Sequence, residues 1–499
     1  MRILEGVLII SAAAAMVLLL LRKENTRTLS AAAGWNCGFW LAAQLWFEGY
    51  RWQMVPVYLL AGLLAVMALA GRGRLRKSMR YTLPPLFLLL AGGSAALCVL
   101  LPVFDLPEPA GKLAVGTEVL HWVDAGREET FTEQPGDKRE LMVQVWYPAK
   151  QPDKSSAVST VFPAEKEQFQ AYLKAYSGYL GVPAAALDYW KYIRGNAYPG
   201  AAPLAADSPY PVVLLSHGMG VGRILHTSQA EQLASQGYVV VAVDHTYSTV
   251  MTAFPDGKMT GLVTEPSQEH FFEDSRNIVQ VWNQDIAFVI HQLEKLNNGG
   301  DASRFTGMLD LENIGLLGHS FGGAAAFEAV YANPKLKAGV DMDGSLIWPE
   351  GRENMSKPFL FMESQEFMEV NKRQAKYRTA PVTEEELEKL HYTREQFNKI
   401  LQNRDMELQL MDRLQAQGSG KVLYVEGTGH YNFTDLQLYS PLLAYTGMTG
   451  NIKGSRGAEI VNRYVLEFFN EHLRGIKSQL LTGPDPDYPE VRFPERLNP

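Results

Sequence analysis

Gly318-His319-Ser320-Phe321-Gly322 holds a serine between two glycines, each two positions away. In the G-x-S-x-G pattern the serine sits on a strained turn between a strand and a helix, with its hydroxyl exposed. The flanks supply that context: Glu312 to Leu317 read as a short apolar strand, and Ala324 to Val330 as an alanine-rich helix. Glycines at these places let the backbone fold tightly enough to present the side chain. Ser320 is therefore the candidate nucleophile. A helix N-cap would account for Ser320 alone and leave Gly318, Gly322 and Gly323 without a reason.

A serine nucleophile needs a base, an orienting acid and donors for the developing oxyanion. His430 stands in Gly427-Thr428-Gly429-His430-Tyr431-Asn432-Phe433, a glycine-rich turn after the strand Lys421 to Val425. It lies downstream of the serine, as the base does in this strand-turn-helix arrangement. Asp343 and Glu363 each follow a strand between Ser320 and His430, and chain order does not choose between them. Ser216-His217-Gly218-Met219-Gly220 is a glycine-rich loop after another strand, and the backbone N–H groups of Met219 and Phe321 are the expected oxyanion donors. Asp244-His245 precedes the serine, so it reads as a loop anchor and not as a catalytic pair.

The elements that must position these groups alternate. Pro211 to Leu215, Tyr238 to Val243, Lys337 to Val340 and Pro358 to Met362 are apolar runs of strand length. Thr227 to Gln236, Arg276 to Leu296 and Glu459 to Leu473 carry helical periodicity. Strands apolar throughout and separated by helices predict a mostly parallel sheet covered on both faces, an α/β-hydrolase fold. Leu141 to Tyr147 alternates and ends at Pro148, which suits a strand near the sheet edge.

The 499-residue chain divides by charge near residue 105. Up to Phe104 there are ten Lys/Arg and three Asp/Glu; beyond it, 36 basic side chains face 51 acidic ones. An acidic globular part excludes a nucleic-acid partner. The two cysteines, Cys37 and Cys98, both fall before residue 105, so neither a disulfide framework nor a thiol nucleophile is expected in the later part.

Apolar stretches at about 4–21, 31–48, 54–71 and 83–104 predict a four-helix transmembrane region. A cleaved signal peptide would explain the first stretch but not the three that follow. Arg22, Lys23 and Arg27 follow the first stretch, and Arg72, Arg74, Arg76, Lys77 and Arg80 separate the third from the fourth. With four spans both basic clusters lie in the cytoplasm, and the part after Phe104 lies on the extracytoplasmic side of the cell membrane.

Ser-His-Gly-Met-Gly, Val-Asp-His, Gly-His-Ser-Phe-Gly-Gly, Gly-Val-Asp-Met-Asp-Gly and Gly-Thr-Gly-His-Tyr-Asn-Phe-Thr-Asp, in this order, resemble the plasma platelet-activating-factor acetylhydrolases, also called lipoprotein-associated phospholipase A2. The resemblance runs over roughly residues 139–475. It implies that Asp343 is the acid, that Met219 and Phe321 form the oxyanion hole, and that the substrate is a phospholipid with a short or oxidised sn-2 acyl chain. Residues 365–418 depart from it as a polar insertion, with capping boxes at Thr383 to Glu386 and Thr393 to Gln396 predicting two helices. The insertion is expected to be a lid over the acyl pocket in preference to an outer hairpin.

The expected organisation is a membrane region over 1–104, a linker and first strands over 105–138, the hydrolase domain over 139–475, and a proline-rich tail over 476–499 that is extended or disordered. The expected activity is that of a membrane-anchored serine carboxylic-ester hydrolase acting on a lipid or ester, with no cofactor, metal or obligatory protein partner. A general small-ester, lipase or polyester hydrolase is the alternative enzyme. A membrane receptor using the same fold as a binding module is the alternative outside enzymes.

Overall fold

The computed structural model describes residues 1–497 apart from 22–26, 71–76, 154 and 379. Arg22, Lys23, Arg72, Arg74 and Arg76, on which the expected orientation partly rests, lie outside the described residues. The chain forms two compact units. One comprises Met1–Phe104, Gly181–Ile193 and Tyr439–Leu442, and the other Asp105–Leu180, Arg194–Leu438 and Leu443–Pro499.

In the first unit, helices α1 (Ile3–Leu21), α2 (Arg27–Phe47), α3 (Val55–Leu69) and α4 (Lys77–Leu100) pack around Leu8, Ala12, Cys37, Leu60, Ala61 and Cys98. Trp52–Leu69 and Thr82–Leu100 are long and apolar enough to cross a bilayer, and Ile3–Leu18 is a shorter apolar helix. Of the four expected spans, two helices thus meet the test of length and composition among the described residues. Helix α2 is less apolar, interrupted by Asn36 and Gln44, and its Gly34 and Gly38 let the backbone approach α3 closely. A Cβ on Gly34 would fall 2.4 Å from the Leu64 carbonyl oxygen. Glu5 and Arg51 are buried together, with two nitrogen-to-oxygen distances of 3.1 Å, and Arg51 also donates to the Leu101 carbonyl at 2.5 Å. A charge pair this enclosed keeps its partners because either one alone would be left uncompensated.

The second unit is built on a ten-stranded sheet. Its strands are β1 (Ala114–Glu128), β2 (Lys138–Ala149), β3 (Tyr198–Pro199), β4 (Tyr210–Ser216), β5 (Val239–Asp244), β6 (Leu309–His319), β7 (Leu336–Met342), β8 (Phe359–Ser364), β9 (Gly420–Val425) and β10 (Val491–Arg492). Their spatial order is β10-β9-β8-β7-β6-β4-β5-β2-β1-β3. The run from β9 to β5 is parallel throughout, and β2 and β10 add to its two sides antiparallel.

Helices cover both faces, which is why the central strands have no polar side. Helix α5 (Lys166–Leu180) precedes β3; α6 (Thr227–Ser235), α7 (Phe271–Asn297) and α8 (Phe321–Ala332) follow in the chain. Val212, Leu214, Val241 and Leu316 pack with Ile286 and Val289 of α7 and Phe327 of α8. Val213, Leu215, Val240 and Leu317 face the other way, onto Ala230 and Leu233 of α6. The closing helix, Gly454–Arg474, joins that second face through Val461 and Phe468.

Residues 365–418 form α9 (Gln365–Ala375), α10 (Glu384–Leu390) and α11 (Arg394–Gln417), the last two opening with the expected capping boxes. The lid expectation fails for α11. Leu408, Leu410, Met411 and Leu414 are buried in the same core as Phe359, Phe361 and Val422, so lifting α11 would strip the sheet. Within the proline-rich tail, Val491–Arg492 form β10, with Val491 paired to Val425.

Candidate active site

The parallel strands place the functional loops at their carboxyl ends. The chain leaves β4 for β5 on one side and later returns to β6 on the other. Beside that reversal, loops from adjacent strands splay apart and leave room for a ligand. The loop after β4 carries Gly218 and Met219, and β6 runs into Ser320.

Ser320 has φ 55° and ψ −122°, a conformation L-residues rarely hold, immediately before α8. The glycines around it are required by contact. A Cβ on Gly318 would fall 2.0 Å from the Gly322 carbonyl oxygen, and one on Gly322 would fall 2.4 Å from the carbonyl oxygens of Ser216 and His217. A Cβ on Gly323 would meet the Asp341 carboxylate. Gly318→Ala is therefore expected to cost about 1–3 kcal/mol of stability through overpacking against rigid backbone. It should also lower esterase activity by at least about tenfold. Thermal melting and kcat/KM on a nitrophenyl ester check both, and a variant as stable and active as the parent would refute the contact argument.

Three side chains converge at this turn. His430 Nε2 lies 2.9 Å from Ser320 Oγ, and His430 Nδ1 lies 2.7 Å from Asp343 Oδ2. An ionised carboxylate only accepts, so Nδ1 carries the proton and Nε2 is free to accept from the serine hydroxyl. The Ser364 N–H donates to Asp343 Oδ1 at 2.7 Å. Burial opposes ionisation of Asp343, but the His430 and Ser364 hydrogen bonds and the His430 charge together hold its carboxyl below the usual range. The Asp343 side chain is 7% exposed and that of His430 35%, so the acid is sealed while the imidazole meets the cleft.

Glu363, the other acid that chain order left open, goes elsewhere. Among the described residues its two buried carboxyl oxygens have no hydrogen-bond partner, and they lie beside Asp341 and Glu407. Burial and these neighbouring carboxylates push its pKa well up.

Met219 and Phe321 pack against one apolar cluster with Val279, Trp282 and Ala324. Phe321 is the first residue of α8, where free N–H groups and the helix dipole favour negative charge. Among the described residues neither the Met219 nor the Phe321 N–H has an internal acceptor. The loop after β4 lies against the elbow, since a Cβ on Gly218 would come 3.1 Å from Ser320 Cβ and 2.9 Å from His319 Nδ1.

Several residues around His430 carried no sequence signal of their own. His319 Nε2 donates to the His430 carbonyl at 3.1 Å, and the two rings lie 4.8 Å apart. Burial, with His430 and His226 nearby, keeps His319 neutral. Asn432 Oδ1 accepts from Gly429 N–H at 2.9 Å and Gly450 N–H at 2.6 Å, closing the turn that presents His430. The Tyr179 and Tyr431 hydroxyls meet at 2.7 Å. The Asp244 carboxylate takes the Arg223 N–H at 2.8 Å, and His245 joins Ser216 Oγ at 3.0 Å to Asp285 at 2.9 Å, so both side chains brace the loop after β4.

Asp435 ends the histidine motif, accepts the Ser228 N–H at 2.9 Å and is fully enclosed. Burial raises its pKa from 3.8 to about 7 despite the Ser228 hydrogen bonds. A folded-state pKa above the unfolded value gives stability that is complete below the unfolded pKa and lost as pH rises through the folded one. The wild type should thus lose stability between about pH 4 and 7 relative to Asp435→Asn, whose profile is expected to be flatter. Melting temperatures across that range decide it, and parallel profiles would refute it.

With this geometry in place the relatives can be compared. The family described as platelet-activating factor acetylhydrolase, isoform II, matches residues 102–480. The chain belongs to the platelet-activating factor acetylhydrolase family. A probable 1-alkyl-2-acetylglycerophosphocholine esterase of Arthroderma benhamiae is 27% identical over 78% of this chain and 94% of its own length. A platelet-activating factor acetylhydrolase of Cavia porcellus is 22% identical over 59% of this chain and 66% of its own. Among solved structures, a ferulic acid esterase from Streptomyces cinnamoneus superposes with a TM-score of 0.56 at 27% identity, covering 79% of this chain and 99% of that one. This member of the acetylhydrolase family is accordingly a carboxylic-ester hydrolase of α/β-hydrolase fold.

Proposed function

We propose that this protein is a membrane-anchored serine esterase that cleaves short or oxidised sn-2 acyl esters of phospholipids. The observation that carries the reading is the hydrogen-bonded line Asp343–His430–Ser320 in a chain of this family. His430 takes the Ser320 proton as Oγ attacks the ester carbonyl. The N–H groups of Met219 and Phe321 receive the oxyanion, which is worth about 3–4 kcal/mol of barrier per donor. The C–O bond to the alcohol breaks, and the alcohol leaves with the proton His430 had taken. Water then attacks the acyl-serine with His430 again as base, and Asp343 stabilises the imidazolium in both halves.

Helices α1–α4 act as the anchor, with the hydrolase unit on the extracytoplasmic side of the cell membrane. The apolar lengths of Trp52–Leu69 and Thr82–Leu100 support this reading. Hydrolysis of an sn-2 acetyl phospholipid by the full chain in detergent, against its long-chain diacyl counterpart, tests the substrate. Equal rates on both would refute selection for a short acyl group. Protease added to intact cells should remove the hydrolase unit, and full protection would refute the orientation.

The ferulic acid esterase likeness favours a second reading, hydrolysis of small non-lipid esters. Under it, nitrophenyl and aryl esters would be cleaved while every phospholipid stayed intact.

A further inference from the structure

A groove of about 590 Å³ runs beside α5, lined by Ala175, Gly178, Tyr179, Val250, Met251 and Leu262. Lys174, exposed at its edge, is the one charged side chain lining it. Its walls are mostly apolar, and it is open to solvent. Tyr179 joins this groove to the candidate active site. Its hydroxyl lies 3.4 Å from the Met219 carbonyl oxygen and 2.7 Å from the hydroxyl of Tyr431, the residue after His430. Its ring is packed so closely on the same loop that a Cβ on Gly220 would come within 2.8 Å of it. One tyrosine ring thus separates an apolar groove from the loop that carries the Met219 N–H.

We propose that the groove binds the aliphatic chain of the substrate's alcohol moiety, the chain that departs with the leaving group, while the ester carbonyl sits at Ser320. The proposal rests on the ester-hydrolase reading above and adds to it which part of the substrate the protein holds. A short acyl group has little apolar surface, so binding energy must come from the remainder of the molecule. Energy gained at such a remote part can orient the reacting carbonyl against the nucleophile. Tyr179 then acts as a positioning residue, since a chain packed on its ring bears directly on the loop that supplies an oxyanion donor.

Gly178 gives a direct test. It lies on α5 and lines the groove, and a Cβ added there meets nothing within 4 Å, so a larger side chain enters open space. The full-length protein and its Gly178→Trp and Gly178→Ala variants would be assayed in detergent on p-nitrophenyl acetate and on straight-chain alkyl acetates of increasing alcohol length. The parent and Gly178→Ala should show KM falling as the alcohol lengthens. Gly178→Trp should abolish that trend, raising KM on the longest acetate by about tenfold and leaving p-nitrophenyl acetate unchanged. A parent whose KM ignores alcohol length, or a Gly178→Trp variant that loses the same factor on every ester, would overturn the proposal. A parent with the chain-length trend that leaves sn-2 acetyl phospholipids intact would instead sink the phospholipid reading and leave the groove assigned.

Discussion

Ser320→Ala is expected to lower kcat/KM on any carboxylic ester by roughly 10⁵-fold or more, with little change in melting temperature. The magnitude follows from what is removed. Without Oγ there is no acyl-enzyme, and His430 and Asp343 have no proton to move, so the loss is that of the whole relay and not of one contact. A residual rate above that in water should survive, because the N–H groups of Met219 and Phe321 do not depend on the serine side chain. The fold should hold because the elbow is fixed by backbone contacts of Gly318, Gly322 and Gly323, and alanine leaves these untouched. Intact-protein mass after treatment with a fluorophosphonate should show one adduct on the parent and none on the variant. A variant that kept more than about one part in a hundred of the parent's activity would displace Ser320 as nucleophile.

Asp343→Asn should cost roughly 10⁴-fold in kcat, about 5.5 kcal/mol of barrier, while Glu363→Gln should cost less than about threefold. The asparagine keeps the shape of Asp343 but can turn an N–H₂ toward His430, which leaves Nδ1 as acceptor and puts the ring proton on the nitrogen facing Ser320. The nucleophile's proton then has nowhere to go. Burial beside Asp341 and Glu407 disfavours ionisation of Glu363, and glutamine is close to the isostere of its protonated form. Steady-state kinetics of the two variants side by side check this. The reverse ranking would assign the acid to Glu363.

The two acids also mark how far the sequence alone could be read. Each ends one of two adjacent parallel strands, and strand order cannot say which carboxylate turns toward the histidine. The deciding feature is local backbone geometry: Asp343 has φ 55° and leaves the strand direction, whereas Glu363 is still within β8. The central strands and the elbow were legible because burial on both faces and backbone crowding leave few residue types that fit. His319 was not legible as a neighbour of His430, because the end of β6 and the loop after β9 meet only in the fold. The lid expectation missed α11 for a related reason. Helical spacing in α11 shows that Leu408 and Met411 share a face, but not that the face is covered by the sheet. Strand β1 was blurred by Glu118, His121 and Asp124, which give it weak apolar contrast.

The pairing of Val491 and Arg492 with β9 has a practical consequence for handling the protein. Those residues cover the outer edge of β9 at its carboxyl end, and Arg492 pairs with Glu426 just beyond β9. Truncation at Gly483 would leave β9 as a bare template, two strands' breadth from the acid's own strand, on which a second molecule could zip. Purification handles therefore belong at the other terminus.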